Sequence, residues 1–463
     1  MQNVSKIIAL LVYGIYLAST GIARLLPLKF VFLAGEGLGL LGYFVLFRRR
    51  RMAIENIILA LNKTENEATT LTRSHFMNLG ANMLSALKIA TMSNEEILKC
   101  VAVEIPPGLE EKVKAQTDRA GWVAMISHMG NWEILSHLSP IFPYFKYGAI
   151  YHKLANDHVD RHFKESRARS GVTLFDRREG YLKCVDFLRS GGAVGVLVDQ
   201  YAGLPGTWMP FFNRLTSTST LAALLAKRAG VDIIPVSIKT VGLARWRVAI
   251  SMPITTAGED VEILTARVNT ELEREISASP ADWLWSHNRW KTPRWVFLFS
   301  RSGRRVFYAP EFDMAKLIPY RILIRMADGE EEAKASVAAV RSIKLGRPDA
   351  HVTVVVDQSL AEFWKNISEV DEVLAVGAGE SAGDVGRKIK NLGRFDAGIL
   401  FSPAFRAALE LWLGGVSYRV GPPRRLLLND WRNSPGLRNP PARGVERYRR
   451  ITDGAGAALI MDE

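Results

Sequence analysis

Residues 122–133 read WVAMISHMGNWE. The unbroken apolar run Trp122 to Ser127 reads as a buried strand, and residues 131–139 read as a helix. Strand, tight turn, helix is the building unit of an α/β sheet. It places His128 where the strand ends. In open α/β sheets, ligands bind beyond the carboxyl ends of the strands. An imidazole there titrates near working pH. Glu133, one turn into the next element, can fold back onto the second ring nitrogen, fix the tautomer and stabilise the imidazolium. Gly130 leaves room for a substrate near the backbone. The plainer alternative is a polar turn in which Glu133 only favours a helix N-terminus. The stretch alone leaves both readings open.

The same texture repeats downstream. YGAIYH (147–152), VTLF (172–175), AVGVLV (193–198) and VDIIPVSI (231–238) read as strands. Between them, 156–170, 179–190 and 218–229 read as helices. Upstream, residues 52–100 carry apolar positions at helical spacing (Ile54, Ile57, Ile58, Leu61, then Phe76, Leu79, Met83, Leu87), broken at Asn62-Lys63-Thr64. A linker is expected at 297–320. A second α/β unit comes after it, with strands RILIRM (321–326), VTVVV (352–356), VDEVLAV (370–376) and DAGILF (396–401) and a helix over 331–344. The Pro-, Arg- and Gly-rich stretch 421–443 is expected to be irregular. The expected fold class is therefore α/β, in two units behind hydrophobic N-terminal helices. The expected domains are an anchor at 1–51, a first α/β domain at 52–296, and a Rossmann-like half domain at 321–463.

The N-terminal 51 residues contain two apolar runs, 7–20 and 25–47, ahead of four arginines, Arg48 to Arg51. About 20 apolar residues are needed to cross a bilayer. The first run is short, and the second carries Lys29 and Glu36, which are costly at a bilayer centre. A spanning helix, a shallow hairpin, an in-plane helix and a buried helical pair all remain open. No small-residue cleavage pattern marks a signal peptide. If one segment spans, the arginine cluster puts the chain after residue 51 in the cytoplasm.

The chain has 463 residues and a net charge of +13, which favours an anionic partner. No nucleic-acid motif is present, so the charge points to anionic lipid or an acidic protein. The two cysteines, Cys100 and Cys184, are far apart and sit in no Cys/His cluster. No metal site and no cofactor is expected. His152, His158 and His162 have a weak metal spacing and read as surface residues.

The motif H-M-G-N-W-E (128–133) resembles the first motif of the late acyltransferases of lipid A biosynthesis, the lauroyl and myristoyl transferases of the lysophospholipid acyltransferase superfamily. The resemblance covers roughly residues 5–296, with further blocks in the family's order. N-I-I-L-A-L (56–61) after the basic run looks like the family's start. S-R-A-R-S-G with L-F-D-R (Ser166 to Arg177) and G-V-L-V-D-Q (195–200) are similar to later blocks. P-F-F-N-R-L-T-S-T-S-T (210–220) has Asn213 in place of the usual glycine. W-L-W-S-H-N-R-W-K (283–291) is similar to the closing block. The F-P-E-G signature of glycerol-phosphate acyltransferases is absent.

The resemblance implies an inner-membrane enzyme facing the cytoplasm. It would move a fatty acyl chain from an acyl carrier protein or acyl-CoA thioester to a hydroxyl of a lipid A-type glycolipid. His128 would be the general base and Glu133 its orienting partner, with direct transfer and no acyl-enzyme. No G-x-S-x-G elbow competes with that mechanism. Arg167 and Arg169 would hold phosphates of the acceptor or of the carrier's phosphopantetheine, against the plainer reading of a solvated basic face. Asp199 would orient an arginine or bind acceptor. Arg214 and Thr218, with Thr216, Ser217 and Thr220, read as an anion site at a helix N-terminus, or as a simple cap. His287, Arg289 and Lys291, interleaved with Trp283, Trp285, Trp290 and Trp295, suit a membrane interface or ordinary packing. Other glycolipid or lysolipid acceptors, and a catalytically silent membrane-bound scaffold, remain as alternatives.

Residues 321–356 resemble the N-terminal half of the heptosyltransferases, family 9 glycosyltransferases of GT-B fold. The family's Gly-Asp pair and later proline are here Glu330, Glu331 and Val337. Glu330 fills a place where glycine allows close approach. These departures predict a degenerate module that binds acceptor lipid or a partner, rather than an independent glycosyltransferase.

Overall fold

The computed structural model describes residues 2–111, 121–137, 145–151, 153–176, 181–292, 297–299, 304–421 and 444–457. It comprises two compact units: residues 1–212, 216–290 and 306–312, and residues 213–215, 291–305 and 313–463. The N-terminal 51 residues are part of the first unit, and the stretch 297–320 is shared between the two.

The first unit opens with helices α1 (Gln2–Leu25), α2 (Leu28–Val45), α3 (Phe47–Leu61) and α4 (Glu65–Ile89). The break at 62–64 has a clear cause. Asn62 takes the left-handed conformation (φ 48°) that ends α3. Thr64 and Glu67 then form a reciprocal capping box that starts α4. By length and composition α2 can cross a membrane: its 18 residues have mean hydropathy 1.5, and 28% of them are buried. Leu33, Leu38, Leu41 and Phe44 on α2, and Leu11 and Ile15 on α1, are exposed.

The buried side of α2 is held by glycines. A Cβ on Gly35 would lie 2.6 Å from the Ala81 Cα, and one on Gly80 would lie 2.7 Å from the Gly39 Cα. Only hydrogen at these positions lets the α2 and α4 backbones approach so closely. The arginine run 48–51 opens α3, where Arg49 donates to the Ser286 carbonyl at 3.1 Å.

A short helix α5 (Asn94–Leu98) leads into a seven-stranded sheet. Its strands are β1 (Val101–Glu104), β2 (Trp122–Ile126), β3 (Lys146–Tyr151), β4 (Val172–Asp176), β5 (Gly192–Leu197), β8 (Ile233–Gly242) and β9 (Arg245–Ile250). Between these in sequence, β6 (Thr207–Phe211) and β7 (Arg214–Thr218) form a separate two-stranded ribbon. The sheet order is β1-β9-β8-β2-β5-β3-β4. Only β8 and β9 pair antiparallel; all other neighbours are parallel. Helices α6 (Asp157–Arg169), α7 (Leu182–Arg189), α8 (Leu221–Ala229) and α9 (Val261–Ala278) complete the unit. The helix expected over 131–139 is a 3₁₀ segment, Trp132–His137, and residues 138–139 lie outside the described residues.

The two faces of the sheet differ. On one, Val123, Met125, Val194 and Val196 bury themselves with Leu225 of α8 and Leu272 of α9. On the other, the middle of the sheet carries small side chains. Ala124 is level with Gly195, and Gly195 with Ala149, so one row across three strands carries almost no bulk. Above that row lies an apolar cleft with about 1210 Å³ of free space, its open mouth included.

The second unit is a five-stranded, all-parallel sheet of order β12-β11-β10-β13-β14. Its strands are β10 (Tyr320–Arg325), β11 (Ala350–Asp357), β12 (Glu372–Val376), β13 (Ala397–Leu400) and β14 (Arg419–Val420). Helices α10 (Glu330–Leu345), α11 (Ala361–Lys365), α12 (Ala382–Asn391), α13 (Phe405–Leu413) and α14 (Val445–Ala455) accompany them. With β10 central and strands added to both sides, this is a Rossmann-like half. The stretch 422–443 lies outside the described residues.

Adding a methyl at the α2/α4 contact should act very differently from adding one nearby. Gly80→Ala, which forces a Cβ into the α2 backbone, is expected to destabilise the protein by about 1–3 kcal/mol. Gly37→Ala, which meets open space, should be neutral or gain up to about 1 kcal/mol from helix propensity. Thermal unfolding of the detergent-solubilised protein checks both.

Candidate active site

β2 and β5 are neighbours and parallel, so their carboxyl ends lie side by side. That adjacency brings His128 and Asp199 together. The His128 Nδ1–H donates to Asp199 Oδ1 at 2.7 Å, and the His128 backbone N–H donates to Oδ2 at 2.8 Å. The Trp283 indole N–H completes Oδ2 at 2.8 Å. Asp199 is 2% exposed, and its carboxylate is fully supplied with donors. With Nδ1 protonated toward Asp199, the Nε2 lone pair of His128 is free to accept. The Gln200 side-chain nitrogen stands 3.3 Å from it. The tautomer follows from this network rather than from visible hydrogens.

Glu133 is therefore not the partner of His128. The Arg167 guanidinium takes both its carboxylate oxygens, at 2.9 and 3.1 Å. The physical reason is local geometry. The 3₁₀ turn at Trp132–His137 places the Trp132 ring, not the Glu133 carboxylate, against the imidazole, with ring centroids 5.2 Å apart. The strand-end carboxylate of Asp199 already occupies the Nδ1 side.

The turn that carries His128 is pinned on both sides. Met129 bridges to Trp283 in antiparallel fashion, and the Gly130 N–H donates to the Asp282 carbonyl at 3.2 Å. Gly130 has φ +51°, and a Cβ there would sit 2.7 Å from the Ile238 carbonyl oxygen. Glycine is required on both counts.

Burial works against a charge on His128, but the Asp199 carboxylate, through its charge and hydrogen bond, outweighs it. The net effect raises the imidazole above its ordinary range. For Asp199, burial pushes up, and the imidazole and the other donors hold it down to about 2. Beside this pair lies the apolar cleft. It is lined by Trp122, Ala124, Ile126, Ala193, Gly195 and Leu197 of the sheet, together with Trp132, Glu133 and Arg167. His128 lies against one of these groups, the Trp132 ring.

Other candidate residues fall elsewhere. Arg214 and Thr218 do not form an anion site. RLTST (214–218) is a strand, β7, buried along its whole length, and α8 begins three residues later without a side-chain cap. Arg214 pairs with Asp396 at 2.5 Å in the second unit. The Thr218 hydroxyl accepts from Arg289 Nη2 at 2.8 Å, and Thr216 accepts from Nη1 at 2.9 Å. Arg289, Trp283 and Trp285 are fully interior. Asn213, where the related block has glycine, has φ +60° in the turn between β6 and β7; asparagine tolerates that conformation best after glycine. His158 stacks on Tyr13. Arg177, His152 and Trp295, and the side chains of Arg169 and His162, lie outside the described residues.

The sequence reading did not assign Asp199 to His128, and it missed Gln200, Trp283 and Asp282 as neighbours. The D-Q pair ending a strand was the available signal, but its meaning depends on β5 lying beside β2. Removing that carboxylate should show in the imidazole. In Asp199→Asn, burial is opposed only by the weaker pull of the Glu133 charge, and His128 should titrate below its ordinary 6.5; in Glu133→Gln the drop should be smaller. NMR titration of the His128 ring, assigned by its loss in His128→Ala, measures both.

Comparison with known proteins adds the family. The model of the bacterial lipid A biosynthesis acyltransferase family matches residues 2–292. Two curated relatives are a lipid A biosynthesis palmitoleoyltransferase of Escherichia coli and a lipid A biosynthesis acyltransferase of Shigella flexneri. Each is 23% identical over 273 residues, covering 58% of this chain and 87% of the relative. Among solved structures, a family 9 glycosyltransferase from Veillonella parvula is 16% identical with TM-score 0.27, covering 30% of this chain and 43% of that one. The Escherichia coli ADP-heptose LPS heptosyltransferase II is 23% identical with TM-score 0.25, covering 28% and 40%. This chain thus spans less than half of either glycosyltransferase. The chain belongs to the bacterial lipid A biosynthesis acyltransferase family.

Proposed function

We propose that this member of the lipid A biosynthesis acyltransferase family moves a fatty acyl group from an acyl carrier protein, or acyl-CoA, to a hydroxyl of a lipid A-type glycolipid, with His128 as general base. The observation that carries the proposal is the His128–Asp199 pair at the strand ends, beside an apolar cleft.

In the proposed reaction, His128 Nε2 takes the proton of the acceptor hydroxyl. The oxygen attacks the thioester carbonyl carbon. The tetrahedral intermediate collapses, the carbon–sulfur bond breaks, and the imidazolium returns the proton to the departing thiolate. The products are an ester and a free thiol, with no acyl-enzyme. Asp199 takes the orienting role that Glu133 was expected to fill, and its charge steadies the imidazolium between the two proton transfers. The acyl chain lies in the cleft over the Ala149–Gly195–Ala124 row. Arg167, set by Glu133 in the cleft lining, meets the anionic group of a substrate. The net charge of +13 suits an acidic carrier.

The exposed apolar side chains of α1 and α2 support a bilayer location, and the arginines after α2 support a cytoplasmic site. For the second unit, the carboxylates Glu330 and Glu331 replace the Gly-Asp pair, and Glu330 is tied to Lys334 at 2.7 Å. This supports a binding module for acceptor lipid or a partner protein.

Purified protein in detergent, given acyl carrier proteins loaded with several chain lengths and a Kdo-bearing lipid A precursor, should add one acyl unit by mass. His128→Ala should lower the rate by about a thousandfold. Equal rates in both proteins would remove His128 from the mechanism. Transfer only to another glycolipid or lysolipid would change the acceptor and keep the chemistry. Because the base must be neutral and its pKa is raised, kcat/KM should climb with pH through values above 6.5 and then level off.

A further inference from the structure

Asp282 lies outside the reacting groups, yet it touches the turn that carries the candidate base. The residue is 8% exposed, and its carboxylate accepts from three separate elements. The Asn78 side-chain amide of α4 donates to Oδ1 at 3.1 Å. The Thr240 backbone N–H of β8 donates to Oδ2 at 2.9 Å, and the Ser279 hydroxyl donates to the same oxygen at 2.8 Å. Its own carbonyl accepts the Gly130 N–H, two residues from His128. The next residue, Trp283, bridges to Met129 and donates to Asp199. One residue thus fixes both flanks of the catalytic pair: the turn that carries His128 and the indole that holds Asp199.

We propose that Asp282 is a positioning residue for the His128–Asp199 pair, and that Asn78 of α4 completes it. The kinetic part of this rests on the role proposed above for His128. The hydrogen-bond polarity is specific. Oδ2 needs to accept twice, whereas Oδ1 faces a single amide that can present either nitrogen or oxygen. Two carboxyl groups at positions 78 and 282 would repel at close range once both ionise, and at alkaline pH would drive the Pro280–Trp283 segment away from α4. Met129, Gly130 and Trp283 would follow it, and Asp199 would lose a donor and its alignment. A buried carboxylate that loses partners is costly, so the segment moves rather than leaving the charge unpaired. Burial already pushes the Asp282 carboxyl upward, with the donors from Thr240, Ser279 and Asn78 opposing it.

The test is a swap. Full-length Asn78→Asp, Asp282→Asn and the double variant are purified in detergent. Each is followed by the NMR titration of His128 and by separate kcat and KM for acyl transfer. Asn78→Asp should lower kcat at least tenfold with little change in KM for the acyl donor, and should lower the His128 pKa. Asp282→Asn should lower both quantities by less than Asn78→Asp does, because the Asn78 amide can turn its oxygen to the new donor. The double variant should recover both quantities to within about threefold: the new amide at position 282 would accept from Thr240 and Ser279 and donate to the new carboxylate at position 78. A folded Asn78→Asp protein with unchanged kcat and titration would overturn the proposal, as would a double variant no better than the single. Should Asn78→Asp fail to fold, Asn78→Ala, which only deletes the donor, carries the same two readouts in the same directions. If no acyl donor is turned over by any protein, the titration still decides the positioning, and only the transfer reading falls.

Discussion

The buried carboxylate of Asp199 is the constraint around which the first unit is arranged. An ionised group at 2% exposure is strongly unfavourable unless its lone-pair directions are met. Here the donors come from two parts of the chain far from its own strand. One is the end of β2, through the ring and the backbone of His128; the other is the segment at Trp283. Removing any one donor would leave a buried charge short of a partner, at a cost of about 1–3 kcal/mol or more. The pair therefore exists only if β5 is inserted next to β2, and only if the chain returns at 280–283 to close over it. Sheet order, turn conformation and site chemistry are set by the same oxygens.

The sheet serves two purposes because its strands are read at period two. On one face, valines and a methionine bury themselves against α8 and α9 and supply stability. On the other, alanine and glycine face alanine and glycine across the strands, and the space they leave is the cleft. Filling that row with valine or leucine would give an ordinary two-sided core. The missing bulk is what turns a two-sided structural sheet into one that walls an apolar cleft. Its cost is that part of the sheet's apolar surface is not packed by the protein itself.

Much of this architecture can be read in the sequence, for reasons that also explain what cannot. WVAMIS, AVGVLV, VTVVV and RILIRM are apolar runs whose only comfortable place is inside a sheet, and each is a strand in the structure. Asn62 and Thr64 mark a helix boundary through local hydrogen bonding, so they too are legible. β1, β6, β7 and β9 are not, because nothing local distinguishes them; RLTST has hydroxyls that suit a cap as well as a strand, and only burial against Arg289 decides between them. Glu133 and Asp199 show the same limit at the site. His128 was legible as a candidate because its position depends on its own strand. Its partner depends on which strand lies alongside, and sequence spacing favoured the nearer carboxylate over the one 71 residues away.

α4 has to satisfy two demands at once, and its composition reflects both. Against α2 it presents Gly80 and Ala81, where any larger side chain would part the backbones. On its buried and half-buried sides it also carries Thr72, His75, Asn78, Asn82 and Ser85, an unusual load of polar groups for a packed helix. Asn82 accepts the Trp246 indole N–H at 2.7 Å, and Asn78 reaches Asp282. Burial, opposed by the backbone of Ala281 and Trp283, holds the His75 imidazole down to about 4, so it is neutral at working pH, and its ring meets Phe76 edge-on. Apolar residues at these places would give as much burial with less specificity, since a greasy face can slide by a turn. The two asparagines, with fixed partners, cannot. The helix packed on α2 is thereby held in register with the segment that closes the site.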